Sequence, residues 1–278
     1  MALGILTNVA ATYAENNLNQ TQNSLQTVLQ QLSSGSRINS GADDAAGLSI
    51  SDGLQANEAA LTQSAQNAQN GVGLLQTADG ALSQVTNLLD RAVTLATEAS
   101  NGGLTAAQST AADTEFQSIL TEIGNIGSTT NYNSTNVFSA TATNFVVSDG
   151  TAAGTTTIAA TVGVLTSASV GTGAEDLSAD VLTSTAAATT ALSDVTTAIS
   201  DVSAQRGSIG ADINQLNAAA NVASSEEVNL SSAQSAITST NYGQATSDLA
   251  KYQVLSQTGI SALAQANSTQ QEILKLLQ

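Results

Sequence analysis

Apolar residues recur at helical spacing along most of the chain. Near the N-terminus they fall at Leu6, Val9, Tyr13, Leu18, Leu25, Val28, Leu29 and Leu32, with Asn, Gln, Ser and Thr between them. That is a narrow apolar stripe on a backbone of middling helix propensity. It predicts a helix too weak to stand alone in water and in need of partner helices. Further on, Leu54, Leu61, Ala68, Leu75, Leu82, Leu89 and Ala96 fall every seven residues. Their companions lie first four residues on (Ala65, Val72) and then three (Ala78, Val85, Ala92, Ala99). The change of step near Gly71 and Gly73 predicts a local irregularity in a coiled-coil-like seam. Asn101-Gly102-Gly103 predicts the end of that helix. Thr105 to Gln108 fits a capping box, and Phe116, Ile119, Leu120, Ile123 and Ile126 form the apolar face that follows it. Thr129 to Asn136 is rich in turn formers.

The pattern changes over residues 139–184, where Thr, Ser, Ala and Gly dominate. Short β-branched runs at Asn144–Val147 and Thr155–Val164 flank Ser148-Asp149-Gly150, a hairpin signal. Helical periodicity then returns in its cleanest form. Positions 192, 195, 199, 202, 206, 209, 213, 216, 220, 223, 227, 230, 234 and 237 alternate steps of three and four, interrupted by Arg206, Glu227 and Gln234. A helix across them is roughly 70 Å long, suited to a rod. The C-terminal stretch repeats the N-terminal style with Leu249, Tyr252, Leu255, Ile260, Leu263, Ala266, Ile273, Leu274 and Leu277 amid Gln, Ser and Thr. The expected fold is mainly α: a long antiparallel coiled-coil or helical-bundle rod with paired terminal helices and a small β-hairpin excursion.

Composition narrows the chemistry. The 278 residues include no Pro, Cys, His or Trp. Long helices therefore meet no internal proline, and disulfides, thiolate chemistry and imidazole acid–base or metal chemistry are excluded. Net charge is −17, and the five bases Arg37, Arg91, Arg206, Lys251 and Lys275 are scattered singly. Nucleic acid and anionic membrane surfaces call for clustered Lys and Arg, so both partner classes are disfavoured. No apolar run approaches the length of a membrane span, and the N-terminus lacks the basic and apolar regions of a cleaved secretory signal.

The most specific segment is residues 32–52, Leu-Ser-Ser-Gly-Ser-Arg-Ile-Asn-Ser-Gly-Ala-Asp-Asp-Ala-Ala-Gly-Leu-Ser-Ile-Ser-Asp. Glycines at 35, 41, 47 and 53 predict a bend or loop between helices across it. The segment resembles the N-terminal signature of bacterial flagellins. Gln66–Gly71, Leu74–Leu82 and Asp113–Ile123 are similar to further stretches of that family, as are Leu263–Asn267 and the closing Leu276-Leu277. The resemblance covers about residues 1–138 and 185–278 and lapses between them. It departs from the family at Thr238-Ser239-Thr240-Asn241, where an acidic run is usual, at Thr269-Gln270, where a proline is often near, and in its short middle segment.

The resemblance implies three regions: an inner coiled coil of terminal helices (1–42 and 238–278), a helical rod (43–138 and 185–237) and a short, surface-exposed variable segment with a hairpin (139–184). It implies a structural subunit that self-assembles into the flagellar filament for swimming motility. Such a subunit is exported through the flagellum's own channel without a cleaved signal peptide and is located outside the cell. The expected assembly residues are Leu25, Leu29, Leu32, Leu255, Leu263, Leu274 and Leu277, with Arg37, Asn39, Asp43 and Asp44 forming the signature joint. Other copies of the chain, the filament cap, hook-associated proteins, an export chaperone and the export gate are the implied partners. Arg91, Leu95 and Glu115 match positions through which some flagellins engage a host Toll-like receptor, although the neighbouring positions are Val93 and Thr94 here. The readings set beside this one are a hook–filament junction protein on the same scaffold and a displayed binding or receptor-engaging surface. Asp43-Asp44 and Glu226-Glu227 read as helix-entry and solvated acids rather than as a catalytic pair. No catalytic residue, cofactor or metal site is expected, and no enzyme.

Overall fold

The computed structural model describes residues 8–150 and 156–276. Among the described residues are five helices: α1 (Val9–Ser34), α2 (Ala45–Ser100), α3 (Ala106–Thr129), α4 (Thr185–Thr238) and α5 (Tyr242–Leu276). Between α3 and α4 lie four short strands, β1 (Asn131–Tyr132), β2 (Thr135–Asn136), β3 (Thr143–Val146) and β4 (Thr157–Ala160). The described residues form two compact units, one drawn from 1–56 and 229–278 and the other from 57–228.

In the first unit α1 packs along α5. Asn8 caps α1 by accepting from the Ala11 amide at 3.0 Å, and its own amide group donates to the Ala266 carbonyl of α5 at 3.0 Å. Gly259 on α5 allows close approach, because a Cβ there would lie 3.3 Å from Leu18 Cδ1. At its other end α1 stops at Gly35, whose φ of +71° turns the chain and whose N–H closes on the Gln31 carbonyl. Little of this pair is dry: Val28 is the buried residue of α1.

The second unit has a continuous core. The heptad predicted on α2 is realised, with Leu75, Leu82, Val85 and Leu89 fully buried. They meet Phe116 and Ile123 of α3 and Val195, Val202, Ile209 and Leu216 of α4 in one cluster. The capping box at Thr105 is present, with the Thr105 side chain receiving the Gln108 amide and Gln108 receiving the Thr105 amide. The seam of α4 is broader than its large residues suggest. Ala188, Ala191, Ala198 and Gln205 are buried beside Val195, Val202 and Ile209, while Leu192, Ile199 and Ile213 are half-buried. Small side chains let the helix backbone itself approach the core. α2 runs unbroken through Gly71, where the core approaches closely: a Cβ there would sit 2.9 Å from Leu216 Cδ1 and 3.1 Å from the Phe145 ring.

Two hairpins decorate this unit. Strands β1 and β2 pair antiparallel around Asn133 (φ +49°) and Ser134 (φ +62°). Two successive positive φ values make the primed turn whose twist suits a tight hairpin. Strands β3 and β4 pair with Phe145 opposite Ile158, in the place the hairpin signal predicted. The segment from β4 onward also contributes to the core, through Ile158, Ala160, Val162, Leu165, Val170, Leu177 and Leu182. Individual hydrogen bonds anchor this segment where no ladder does. The Gln205 amide donates to the Val162 carbonyl, Gln117 Nε2 to the Asp180 carbonyl at 2.6 Å, and the Leu182 amide to Asp113 Oδ1 at 2.7 Å. Gly127 lies so close under the Leu165 carbonyl that a Cβ there would collide with it.

Candidate assembly surface and signature joint

The signature is tighter than its glycines imply. The loop runs from Gly35 to Asp44, and Gly47 and Gly53 already lie inside α2. Its two acids have separate tasks. Asp43 Oδ2 accepts from the backbone amides of Asn39 (3.0 Å) and Ser40 (2.8 Å), folding the loop upon itself. Those two amides, Asn39 first, hold the Asp43 carboxyl below its ordinary pKa. Asp44 caps α2: its Oδ1 receives the Gly47 amide at 2.8 Å and its carbonyl the Leu48 amide at 2.9 Å. Gly47 is required beneath that cap, because a Cβ would come within 2.5 Å of Asp44 Oδ2 and 2.8 Å of Ile38 Cδ1. Asn39 Nδ2 closes the turn on the Ser36 carbonyl at 2.9 Å.

Arg37 reaches elsewhere. Its Nε (3.3 Å) and a terminal nitrogen (2.9 Å) donate to the Ile237 carbonyl, and its backbone amide donates to the Thr238 carbonyl at 2.6 Å. Ile237 and Thr238 are the last two residues of α4, whose final carbonyls lack helical partners. A guanidinium there satisfies an orphan acceptor and opposes the negative end of the helix dipole. Arg37 also stands 3.7 Å from Asp44. The α4–α5 break closes on the same loop. The Thr240 amide donates to the Gly35 carbonyl at 3.0 Å, and Asn241 caps α5 by receiving the Gln244 amide at 3.2 Å. The uncharged Ser239-Thr240-Asn241 stretch thus serves as a backbone-paired corner. Sequence reading marked Arg37 but not its partner, which lies 200 residues away.

Along their length the paired helices leave apolar side chains in water. Val9 (58%), Tyr13 (68%) and Leu29 (48%) of α1, and Val254 (63%), Leu255 (42%) and Ile260 (49%) of α5, retain about half or more of their accessible surface. Leu25, Leu32 and Leu263 are half-buried between the helices. The side chain of Leu274 and the whole of Leu277 lie outside the described residues. A shallow groove of about 270 Å³ runs between the two helices, lined by Leu18, Thr21, Leu255 and Gly259 among others.

The Arg91, Leu95 and Glu115 set is divided by the fold. Arg91 and Glu115 form a two-pronged ion pair at 2.7 and 3.0 Å, both exposed, while Leu95 is buried in the core. Each partner steadies the charge of the other, raising the Arg91 pKa and lowering that of Glu115. Arg206, the base that interrupts the α4 stripe, pairs with Asp79 of α2 at 2.7 Å. Asp180 differs from the other acids. One of its oxygens is buried with no hydrogen-bond partner among the described residues, and burial, followed by the nearby Asp194 carboxylate, pushes its pKa up to about 6. Among the described residues no group of three or more His, Cys, Asp or Glu is placed to hold a metal ion. None of their helices is long and apolar enough to cross a membrane.

Long helices joined by short loops, with two small hairpins between α3 and α4, define a mainly helical protein. The chain belongs to the bacterial flagellin family. Residues 5–143 match the bacterial flagellin N-terminal helical region and residues 192–277 the C-terminal helical region. Flagellin 1 of Proteus mirabilis is 38% identical over 151 residues, covering 54% of this chain and 41% of that protein. A flagellin of Serratia marcescens is 42% identical over 139 residues, covering 50% of this chain and 40% of that protein. The crystal structure of Bacillus cereus flagellin aligns at a TM-score of 0.49 and 27% identity, over 56% of this chain and 88% of that one. The chain spans about two fifths of the length of the curated relatives it matches.

Proposed function

We propose that this protein is a self-assembling subunit of the helical bacterial flagellar filament, acting outside the cell in swimming motility. One observation carries the reading: α1 and α5 pair with each other and still expose Val9, Tyr13, Leu29, Val254, Leu255 and Ile260. Apolar faces left in water on both terminal helices are what a polymer interface needs. Burying each large aliphatic side chain between subunits contributes roughly 1.5–3 kcal/mol before ordering costs. In this reading 1–42 and 238–278 form the inner coiled coil, 43–138 and 185–237 the surrounding helical domain, and 139–184 a short segment that covers that domain with its apolar residues turned into the core. Export through the flagellar channel, a chaperone for the C-terminal helix, the cap and the hook-associated proteins complete the expected set of partners. The subunit performs no catalysis.

Removal of Gln253–Gln278 tests this. The truncated chain should stay soluble and fail to polymerise, as judged by electron microscopy of salt-induced assembly. Filaments of normal length from it would refute the proposal. Because a subunit of net charge −17 repels its copies, polymerisation should quicken with ionic strength. The receptor-engaging alternative rests on Arg91 and Glu115 alone, given the burial of Leu95. Loss of receptor signalling in Arg91→Ala with unchanged assembly would favour it.

A further inference from the structure

We propose that Asn101 is a modification site: a place of spontaneous deamidation that converts the α2–α3 connection to aspartate and isoaspartate. The chain holds two Asn-Gly steps, Asn70-Gly71 and Asn101-Gly102. In an Asn-Gly step the backbone nitrogen of Gly attacks the Asn side-chain carbonyl carbon. The new C–N bond closes a five-membered succinimide, the Cγ–Nδ2 bond breaks, and the amide proton leaves with the side-chain nitrogen as ammonia. Water then opens the ring at either carbonyl, giving aspartate or isoaspartate. The only co-reactant is water. Glycine favours the step because it has no Cβ to obstruct the attack, and the local backbone must be free to bring nitrogen and carbon together.

The fold grants that freedom at one step and denies it at the other. Asn101 is exposed, one residue past the end of α2, and its own amide makes a long 3.3 Å bond to the Glu98 carbonyl. Gly102 has φ +64°, and its amide meets no acceptor among the described residues. Space is open around it: a Cβ on Gly102 would find its nearest neighbour, Thr185 Oγ1, at 3.8 Å, and one on Gly103 would find nothing within 4 Å. Asn70 is equally exposed, but Gly71 lies mid-helix with its amide in the α2 ladder. Gly71 is also clamped between Leu216 and Phe145 at 2.9 and 3.1 Å from the Cβ position. Ring closure there would break a helical turn and force atoms into the core.

The product adds one negative charge to a chain of net −17. In its isoaspartyl form it also lengthens the backbone between α2 and α3 by a methylene. A protein that is not renewed after it folds would accumulate the mark with age; Asn is among the thermolabile residues that hyperthermophilic proteins carry less of.

The test uses the full folded chain held in warm, mildly alkaline buffer, followed by isoelectric focusing and peptide mass spectrometry. Asn101 should acquire the acid mass faster than Asn70 by at least an order of magnitude, in aspartyl and isoaspartyl forms. Asn101→Gln should abolish the new acidic species, whereas Asn70→Gln should leave it. In denaturant the two sites should convert at comparable rates, since the sequence step is the same and only the fold separates them. Equal rates in the folded chain would overturn the proposal. So would an acidic species unchanged by Asn101→Gln, or an Asn101 preference that persists undiminished in denaturant.

Discussion

The paired terminal helices and the unit of residues 57–228 are built from similar residues and reach opposite outcomes. In the larger unit, Leu75, Leu82, Val85, Leu89, Phe116 and Leu216 lose all contact with solvent. Along α1, Val28 alone is buried. Both regions carry helical stripes; what differs is the width of the stripe and the number of neighbours. A seam that is apolar every third and fourth residue, with two further helices and an inward-folded segment against it, closes a core. A stripe thinned by Asn, Gln, Ser and Thr, with one partner helix, remains half wet. Helical periodicity therefore reports where a helix will be, while stripe width reports whether it can be satisfied within one chain.

Leu82→Ala is the strongest probe of this contrast. It should cost about 2–5 kcal/mol in denaturant unfolding, because it leaves a cavity in a closed core. A cost near zero would mean that this core is not closed. Next is Gly47→Ala, which forces a methyl against Asp44 and Ile38. A loss of about 1–3 kcal/mol is expected, with faster amide exchange at Gly47 and Leu48, whose amides bond to Asp44. Unchanged exchange there would show that the cap does not depend on Gly47.

A smaller effect is expected at Asp180, whose pKa is raised from 3.8 to about 6 by burial and then by Asp194. A raised folded pKa means that the carboxyl stabilises the fold in its protonated form. Its contribution is full below 3.8 and is lost as pH rises through about 6. Asp180→Asn stays neutral and can donate to Asp194 at every pH. Discounted for solvent screening, the gain at neutral pH is about 1 kcal/mol, or a melting temperature higher by roughly 2–4 °C. The gain should vanish at about pH 4, and a gain independent of pH would point to packing instead. The smallest effect on the isolated chain belongs to Leu255→Ala, within about 0.5 kcal/mol because the side chain is already exposed. The same substitution should slow polymerisation markedly, and together the two results would separate folding from assembly.

Much of this architecture could be read from residue order. The α2 heptad, the capping box at Thr105, the long α4 and the β3–β4 hairpin all follow from local rules of period, cap and turn. The parts that could not be read are those fixed by distant neighbours. Val162, Leu165, Val170, Leu177 and Leu182 share no regular period, so nothing local announces that they are buried. Their positions depend on single anchors from α3 and α4, such as Gln117, Asp113 and Gln205. Gly47 reads as a loop former and acts as a spacer beneath a cap. In the same way Leu95 was separated from Arg91 and Glu115 by the face of α2 on which it falls, toward Phe116 and the core.

Arg37 sets an order of events. Its side-chain acceptor is the Ile237 carbonyl, 200 residues later. A chain made N-terminus first presents Arg37 long before its distant acceptor exists. Until then Arg37 has no helix end to cap and Ser36 no Thr238 carbonyl to meet. Contacts of such sequence separation form late, since a long loop must be closed first. A product ending short of α4's last turn lacks the acceptors of Ser36 and Arg37, and its signature loop keeps only the local bonds of Asn39, Asp43 and Asp44.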